Sequence, residues 1–560
     1  MQSCYTSRIT CLFGKLFALI AFSSFHMVTA MAEGYGIVTE ELDTHNDSTN
    51  QEQILETTYT DTISADAAFS DTIPFKPGKT IYTNNDTTWI NPVLGSRVHL
   101  QRLDDFDTLV VKKRKTLTPI LESLGINFSV WAYDRFYHNA GWAKVDDKTI
   151  KHNLECSWIL DCDSYSGNQF SHPFHGSMFY NAARYHGHSY YASALYPLVG
   201  SFVWEYFCET NEPSYNDFLS TGIGGSAIGE ATYRISDIVF DNSKWGVERI
   251  FRELIGGFLN PARGVHRLFS GQMWHRSQDR GKMVEPEPFS FDISAGGRFM
   301  TEMRRKGRHR SLGYVDFTLD YGQHYDEKEH HKPFDYFHIH AMLNLASNNP
   351  TFADLSIKGR IATRQFASSK DWHYDLGLYQ VYRYIDNYGE NGMSESKRNP
   401  GDFPLLSEAC SFGGGLYLEK TGRNTSFSND LLIDAVPFGA TTADHFHPRR
   451  YNFASGFSIN DEVRFCLNNK VIVGDEFYFA RLYVWKGSKV GDPNDRNKWF
   501  WGDKGNNSIF LNRAYVLINL PLHFKLKAEH QLYYRRTNHE AYPKVHAKSQ
   551  EIRVGLVYSL

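Results

Sequence analysis

Residues 548–560, which close the chain, read Lys-Ser-Gln-Glu-Ile-Arg-Val-Gly-Leu-Val-Tyr-Ser-Leu. Ile552, Val554, Leu556, Tyr558 and Leu560 fall on one side of an extended chain, and Glu551, Arg553, Gly555 and Ser559 fall on the other, with Val557 the one exception. Side chains of a strand alternate in direction, so this separation means an oily surface on one side and water or polar groups on the other. The edge of a soluble sheet satisfies that, and so does the closing strand of a barrel in a bilayer.

Upstream the pattern recurs. Phe289, Phe291, Ile293 and Ala295 alternate with Ser290, Asp292 and Ser294, and Val315, Phe317, Leu319 and Tyr321 with Tyr314, Asp316, Thr318 and Asp320. Phe337, Ile339, Ala341 and Leu343 oppose His338, His340 and Asn344; Leu355, Ile357 and Ile361 oppose Asp354, Ser356, Lys358 and Arg360. Weaker strands are expected over 372–385, 406–418, 431–438, 451–466 and 471–484, and sharper ones over 508–522 and 524–534. The count is about twelve strands of roughly ten residues, an even number and a length suited to a tilted bilayer crossing. Links alternate between tight (Asn468-Asn469, Pro521-Leu522) and long and polar (387–404, 487–507), the asymmetry of an outer-membrane barrel. A soluble sandwich also alternates, but Lys358, Arg360, Lys525, Lys527, Glu529 and Arg553 on the polar face suit a wet lumen.

Composition agrees. Tyr (33), Phe (40) and Trp (11) make up 15% of the 560 residues, a load suited to aromatic girdles where an apolar layer meets water. A net charge of -4 supplies no basic footprint for nucleic acid. At the start, Arg8 and Lys15 precede an apolar run over 16–30, and Ala30-Met31-Ala32 places small residues where a signal peptidase reads. Residues 1–32 therefore read as a secretory signal cleaved near Glu33, removing Cys4 and Cys11, and the run is too short to span a membrane. Cys156, Cys162, Cys208, Cys410 and Cys466 remain, too scattered for a disulfide framework, although a Cys156–Cys162 bridge fits an oxidising compartment.

Residues 33–100 are rich in Thr, Asp, Ser, Asn and Gln and read as a disordered or extended tether. Over 101–270 the period becomes helical, with segments expected at 117–124, 176–186, 189–209, 214–240 and 245–258. Pro213-Ser214 supplies a start and a cap, and Asn260-Pro261 closes the last segment. No apolar run here is long enough to cross a bilayer.

This helical region carries the unusual chemistry. His172-Pro-Phe-His175-Gly leads towards Arg184; Gly200-Ser-Phe-Val-Trp204-Glu205 and Glu209 follow, then Asn216-Asp217, then Gly225 to Gly229-Glu230 with Arg234. Glu205 and Glu209 are four apart and share a helix face among Val, Trp, Tyr, Phe and Cys. Two carboxylates in such company are costly to bury ionised unless a cation, a metal or protonation answers them.

The run over 172–237, with Ser-His-Pro, Ala-Ala-Arg, Gly-Ser-x-x-Trp-Glu, Glu-x-x-x-Pro-Ser-x-Asn-Asp and Gly-Gly-x-x-x-Gly-Glu elements, resembles the domain of unknown function 3943 family of predicted Gram-negative envelope proteins. That resemblance implies an envelope location and no activity. The terminal Val-Tyr-Ser-Leu also resembles in part the closing signature of outer-membrane proteins, which usually end in an aromatic residue.

Three readings of the cluster follow. Glu205, Glu209 and Glu230 can pair with Arg184, Arg234 and His172 to lock helices, with Gly225 and Gly229 allowing close approach. His172, His175, Glu205 and Glu209 can ligate a metal, although the Glu-x-x-His and His-Glu-x-x-His spacings are absent. Or Glu205, Glu209, Glu230 and His172 act as acid and base in hydrolysis or transfer on an envelope lipid or glycan, with Arg184, Trp204, Asn216, Asp217 and Arg234 binding it. No Gly-x-Ser-x-Gly elbow supports a serine nucleophile, and nothing names a cofactor.

The expected protein is mainly β with an α-helical domain: an outer-membrane antiparallel β-barrel over 286–560, preceded by a compact helical domain that plugs the lumen or sits at the periplasmic rim. Its function is to bind or process an envelope lipid or glycan, or alternatively to form a channel or structural barrel with the helices as a non-catalytic plug.

Overall fold

The structure, a computed structural model, describes residues 79–83, 86–90, 97–100, 115–161, 163–284, 287–303, 309–326, 331–346, 350–369, 371–387, 402–445, 450–485 and 502–560. The signal peptide, its cleavage near Glu33 and Cys162 lie outside these residues. Part of the expected tether is instead paired: β1 (Lys79–Thr83), β2 (Asp86–Ile90) and β3 (Arg97–Leu100) form an antiparallel meander that meets the barrel at the pair His99–Phe289. Thr and Ile in 79–100 supply the β-branched residues that the polar composition masked.

The alternating C-terminal half forms β4 (Phe289–Glu302), β5 (His309–Tyr321), β6 (Phe337–Asn344), β7 (Phe352–Ser369), β8 (Trp372–Asp386), β9 (Leu405–Thr421), β10 (Thr425–Thr442), β11 (Tyr451–Leu467), β12 (Val471–Val484), β13 (Gly505–Asn519), β14 (Phe524–His539) and β15 (Val545–Ser559). Each pairs antiparallel with the next, and β15 returns to β4, so twelve strands close into a barrel without an edge. Register follows the pattern: Ile552, Val554, Leu556 and Tyr558 are exposed on the outer wall, while Glu551, Arg553, Gly555 and Val557 are buried inside. Residues 468–470 join β11 to β12, with Asn468 and Asn469 in the left-handed region at φ of 52° and 53° and the Lys470 N–H donating to the Leu467 carbonyl (3.0 Å).

The lumen has two halves. Towards the chain terminus, all twelve strands line a cavity of about 240 Å³. Its charges are paired: Lys525 with Asp292 (2.9 Å), Lys527 with Asp316 (3.0 Å), Arg553 with Glu529 (2.8 Å), and Lys358 with Asp430. Towards the other rim, Ile385, Leu406, Val436, Ala454, Tyr478, Leu482, Ile509, Leu511 and Tyr533 pack as an apolar core inside the barrel.

The helical region comprises α1 (Leu117–Ala132), α2 (Asp147–Glu155), α3 (His172–Tyr185), α4 (Tyr190–Ser193), α5 (Leu195–Phe207), α6 (Tyr215–Leu219), α7 (Gly225–Val239), α8 (Gly246–Leu259) and α9 (Pro261–Phe269). Ser214 caps α6 as its sequence suggests. Asn260 does more than close α8, because its side chain accepts from the Arg263 N–H and starts α9 with Pro261 at its first position. The helices α3 and α7 meet at glycine: a Cβ on Gly225 would lie 2.6 Å from the Gly176 backbone.

The helices neither plug the lumen nor sit at a rim. They pack on the outer wall of the barrel. Leu319, Tyr321, Phe337, Tyr382 and Tyr384, which share one core with Tyr165, Phe170, Tyr180, Tyr190 and Ile228 of the helical region, have the opposite strand parity to the lumen residues Asp320, His338, Val381 and Arg383 of the same strands; Leu405 and Phe438 join that core beyond bulges in β9 and β10, which reverse the parity. Hydrogen bonds seal the contact: Tyr190 Oη donates to Gln380 Oε1 (2.6 Å), Tyr165 Oη to the Ile385 carbonyl (3.0 Å) and Tyr382 Oη to the Gln169 carbonyl (2.5 Å). The alternating pattern of each strand was legible, but which outward side chains are covered, and by what, depends on contacts between distant segments.

Candidate functional site

Two short π-helical turns, Gly167–Ser171 and Ser220–Gly224, run directly into α3 and α7 and bring the family motifs together at the start of α3. Such turns widen a helix by one residue and recur at functional sites. His172 Nε2 lies 3.3 Å from Asp217 Oδ1, and its Nδ1 lies 3.4 Å from Thr221 Oγ1. The Ser214 hydroxyl donates to Asp217 Oδ2, and the Ser214 N–H donates to Glu205 Oε2 (2.7 Å). Asn216 donates to Asp161 Oδ1 (2.7 Å) and Asn168 Oδ1 (3.1 Å), and Asn168 donates to Asp161 Oδ1 (2.7 Å) and reaches Tyr451 Oη (2.5 Å) on the barrel.

The cluster is almost closed: Asp217, Ser214, Asn216 and Glu205 are buried, while the His172 side chain keeps 17% of its surface exposed. Burial pushes the Glu205 carboxyl up to about 8, with repulsion from Asp161 and Asp163 adding to it. Burial likewise pushes Asp217 well above the usual carboxylate range, with Asp161 adding repulsion. His175 is driven down to about 3 by burial; its ring lies between Phe179 and Trp204, and Nε2 has no partner among the described residues. The arrangement is an imidazole held between a carboxyl and a hydroxyl, with Ser214 linking that carboxyl to Glu205, a constellation able to shuttle a proton.

The expected residues divide into two groups. His172, Glu205, Asn216 and Asp217 belong to this cluster, with Trp204 forming the wall behind His175; α5 ends at Phe207, so Glu209 lies beyond the helix expected to carry both carboxyls on one face, and its side chain still meets that of Glu205. Glu230, Arg184 and Arg234 stand apart: Glu230 is fully buried and accepts from Arg184 Nε (2.8 Å), Arg234 Nε (2.9 Å) and Tyr180 Oη (2.6 Å). That is the helix lock anticipated for all three glutamates, and it holds for Glu230 but not for Glu205, whose carboxylate meets a backbone N–H instead. His172, His175, Glu205 and Glu209 do not converge as a ligand set among the described residues. Asp161, Asn168 and Thr221 carry no signal in the sequence, since Asp161 lies in an irregular stretch and Asn168 and Thr221 sit in helical turns where a single polar residue is unremarkable.

Residues 157–262 match the family model described as Domain of unknown function (DUF3943). No match is found among curated proteins. Among solved structures, the KdgM porin matches at 8% identity over 48% of this chain and 99% of its own, with a TM-score of 0.22. The NanC porin matches at 9% identity over 48% and 100%, with a TM-score of 0.24, and the Pseudomonas putida toluene transporter TodX at 8% over 50% and 90%, with a TM-score of 0.20.

Proposed function

We propose that this chain is an outer-membrane barrel whose DUF3943-type helical region lies in the bilayer beside the barrel and binds or processes a lipid or lipid-linked glycan of the envelope. One observation carries the reading: the helices are inside out. In α8 the buried residues are Arg249, Glu253, Gly256 and Gly257, while Val247, Ile250, Phe251, Leu254, Ile255 and Phe258 are exposed. In α1 Ser123, Asn127 and Ser129 face inward, and Leu117, Ile120, Leu121, Leu124 and Phe128 face outward. In α5 Ser201 and Glu205 are buried, and Leu195, Val199, Phe202 and Phe207 are exposed.

A water-facing helix shows the reverse. In hydrocarbon there is no hydrophobic drive between helices, so small residues and hydrogen-bonded polar groups hold them together while apolar side chains face lipid. The barrel supports the same placement. Its apolar outer belt must lie at bilayer depth all round, and on one side that belt is covered by these helices. No described helix is long and apolar enough to cross a membrane.

In this reading His172 and Asp217, with Glu205 as a proton reservoir, face a lipid headgroup arriving from the outer wall, and Thr221 is the hydroxyl within reach of the imidazole. Mass spectrometry of envelope lipids tests it. A deletion strain is expected to show an altered lipid that wild-type protein restores and His172→Asn or Asp217→Asn does not. Full restoration by both variants would remove the site from the function. The charged lumen lined by all twelve strands favours a second reading, a channel, which planar-bilayer conductance tests.

A further inference from the structure

A second cluster lies at the far end of α3. His172 opens that helix and His186 caps it, so at 1.5 Å per residue the two are about 20 Å apart. There His186 Nε2 stands 3.0 Å from Glu122 Oε1, and His266 Nδ1 stands 2.6 Å from the same oxygen. The three ligand atoms lie within 4.8 Å of one another. They come from three separate elements: Glu122 from α1, His186 from the end of α3 and His266 from α9.

We propose that Glu122, His186 and His266 bind a divalent transition-metal ion of the zinc class, a site independent of the His172 cluster and of any lipid chemistry there. Two imidazole nitrogens with one carboxylate suit zinc and its neighbours rather than calcium or magnesium, which prefer all-oxygen shells. Zinc holds such ligands at about 2.0–2.2 Å, which places neighbouring donor atoms roughly 3.4 Å apart. The Glu122 contacts need to open by less than an ångström on one side to admit the ion.

The rings are already oriented. The His266 ring packs edge-on to Tyr185 and to His186, with centroids 4.8 and 4.7 Å away. The His186 carbonyl is held by the Lys115 N–H at 3.1 Å, just ahead of α1. His186 is buried, whereas Glu122 and His266 keep 25% and 16% of their side-chain surface exposed, which leaves a path for the ion. Three protein ligands leave a fourth position for water or an exogenous donor. The ion would clamp α1 to α9, across the bundle that lies on the barrel wall.

Full-length protein in detergent, stripped with chelator and desalted, is titrated with zinc and separately with cobalt. The expected result is about one ion per chain, with visible cobalt absorption of a low-coordinate N/O site. His186→Asn, His266→Asn and Glu122→Gln each weaken binding at least about tenfold, and His172→Asn leaves it unchanged. Heat-modifiable migration of the barrel certifies that each variant is folded. Wild-type protein that retains no ion, or a folded His186→Asn/His266→Asn double variant that binds as wild type does, overturns the assignment. The wild-type cobalt spectrum decides the matter even if a variant does not fold.

Discussion

Arg513 and Asp354 stand 3.6 Å apart across the barrel interior, although β13 and β7 are six strands from each other in either direction around the wall. A pair that spans the diameter means the lumen at that level is bridged by side chains. Arg513 also meets Glu476 (3.2 Å) and Glu529 (3.4 Å), so the bridge is part of a network. Beyond it lies the apolar core around Tyr478 and Leu511.

Conductance follows from that bridge. Wild-type protein in planar bilayers is expected to carry no steady current, and Arg513→Ala alone is expected to leave it closed because the apolar half remains packed. Stepwise openings of the wild-type protein would favour the channel reading over the lipid one.

The Glu230 lock gives a stability prediction. Replacing Glu230 with Gln leaves the buried guanidinium of Arg234 and the partly buried one of Arg184 short of their counter-charge. Breaking one partner of a buried ion pair costs about 3–5 kcal/mol. Thermal unfolding followed by far-ultraviolet dichroism should show the helical signal lost at lower temperature, while Lys151→Ala, in an exposed pair with Glu155, shifts it by less than about 1 kcal/mol.

The α3–α7 crossing gives another. A methyl group at Gly225 would sit 2.6 Å from the Gly176 backbone, which cannot retreat as a flexible side chain can. Gly225→Ala is expected to destabilise the helical region by about 1–3 kcal/mol. By contrast Gly125, with open space around its Cβ direction, should gain a few tenths from Ala through helix propensity. The same melting experiment compares the two.

The inside-out helices are tested by fluorescence. Trp245 and Trp274 keep 73% and 74% of their surface exposed. In liposomes of brominated lipid at least part of the tryptophan emission contributed by these two residues should be quenched, and Trp245→Phe/Trp274→Phe should lower the quenchable fraction. Ile250→Asp or Leu254→Asp, on the exposed face of α8, should cost about 2.5–3.5 kcal/mol of membrane insertion if that face lies at mid-depth. Equal emission in brominated and ordinary lipid would return the helices to water.

The barrel was legible because period two is a local property: each strand states its two faces within ten or so residues, and closure follows once every strand has a partner on both sides. The wall of α8 shows why the helical region was harder. Arg249, Glu253, Ile250 and Leu254 do declare an amphipathic helix, but the pattern is the same whether the apolar stripe meets a protein core or lipid. Glu205 and Glu230 look alike in sequence, each a glutamate in an apolar helix, and only their neighbours separate a carboxyl held by a backbone N–H from an ion-pair lock. The Glu122, His186 and His266 cluster left no trace, since its members are 64 and 80 positions apart and no spacing rule reaches that far.

By itself, then, the sequence determined that the C-terminal half of this protein is a closed antiparallel barrel with an oily wall, preceded by a helical region. Tertiary structure alone decided that those helices lie outside the barrel rather than within it. Strand periodicity records which side of a strand is apolar, whereas occupancy of that side is set by long-range packing, and no local pattern encodes it.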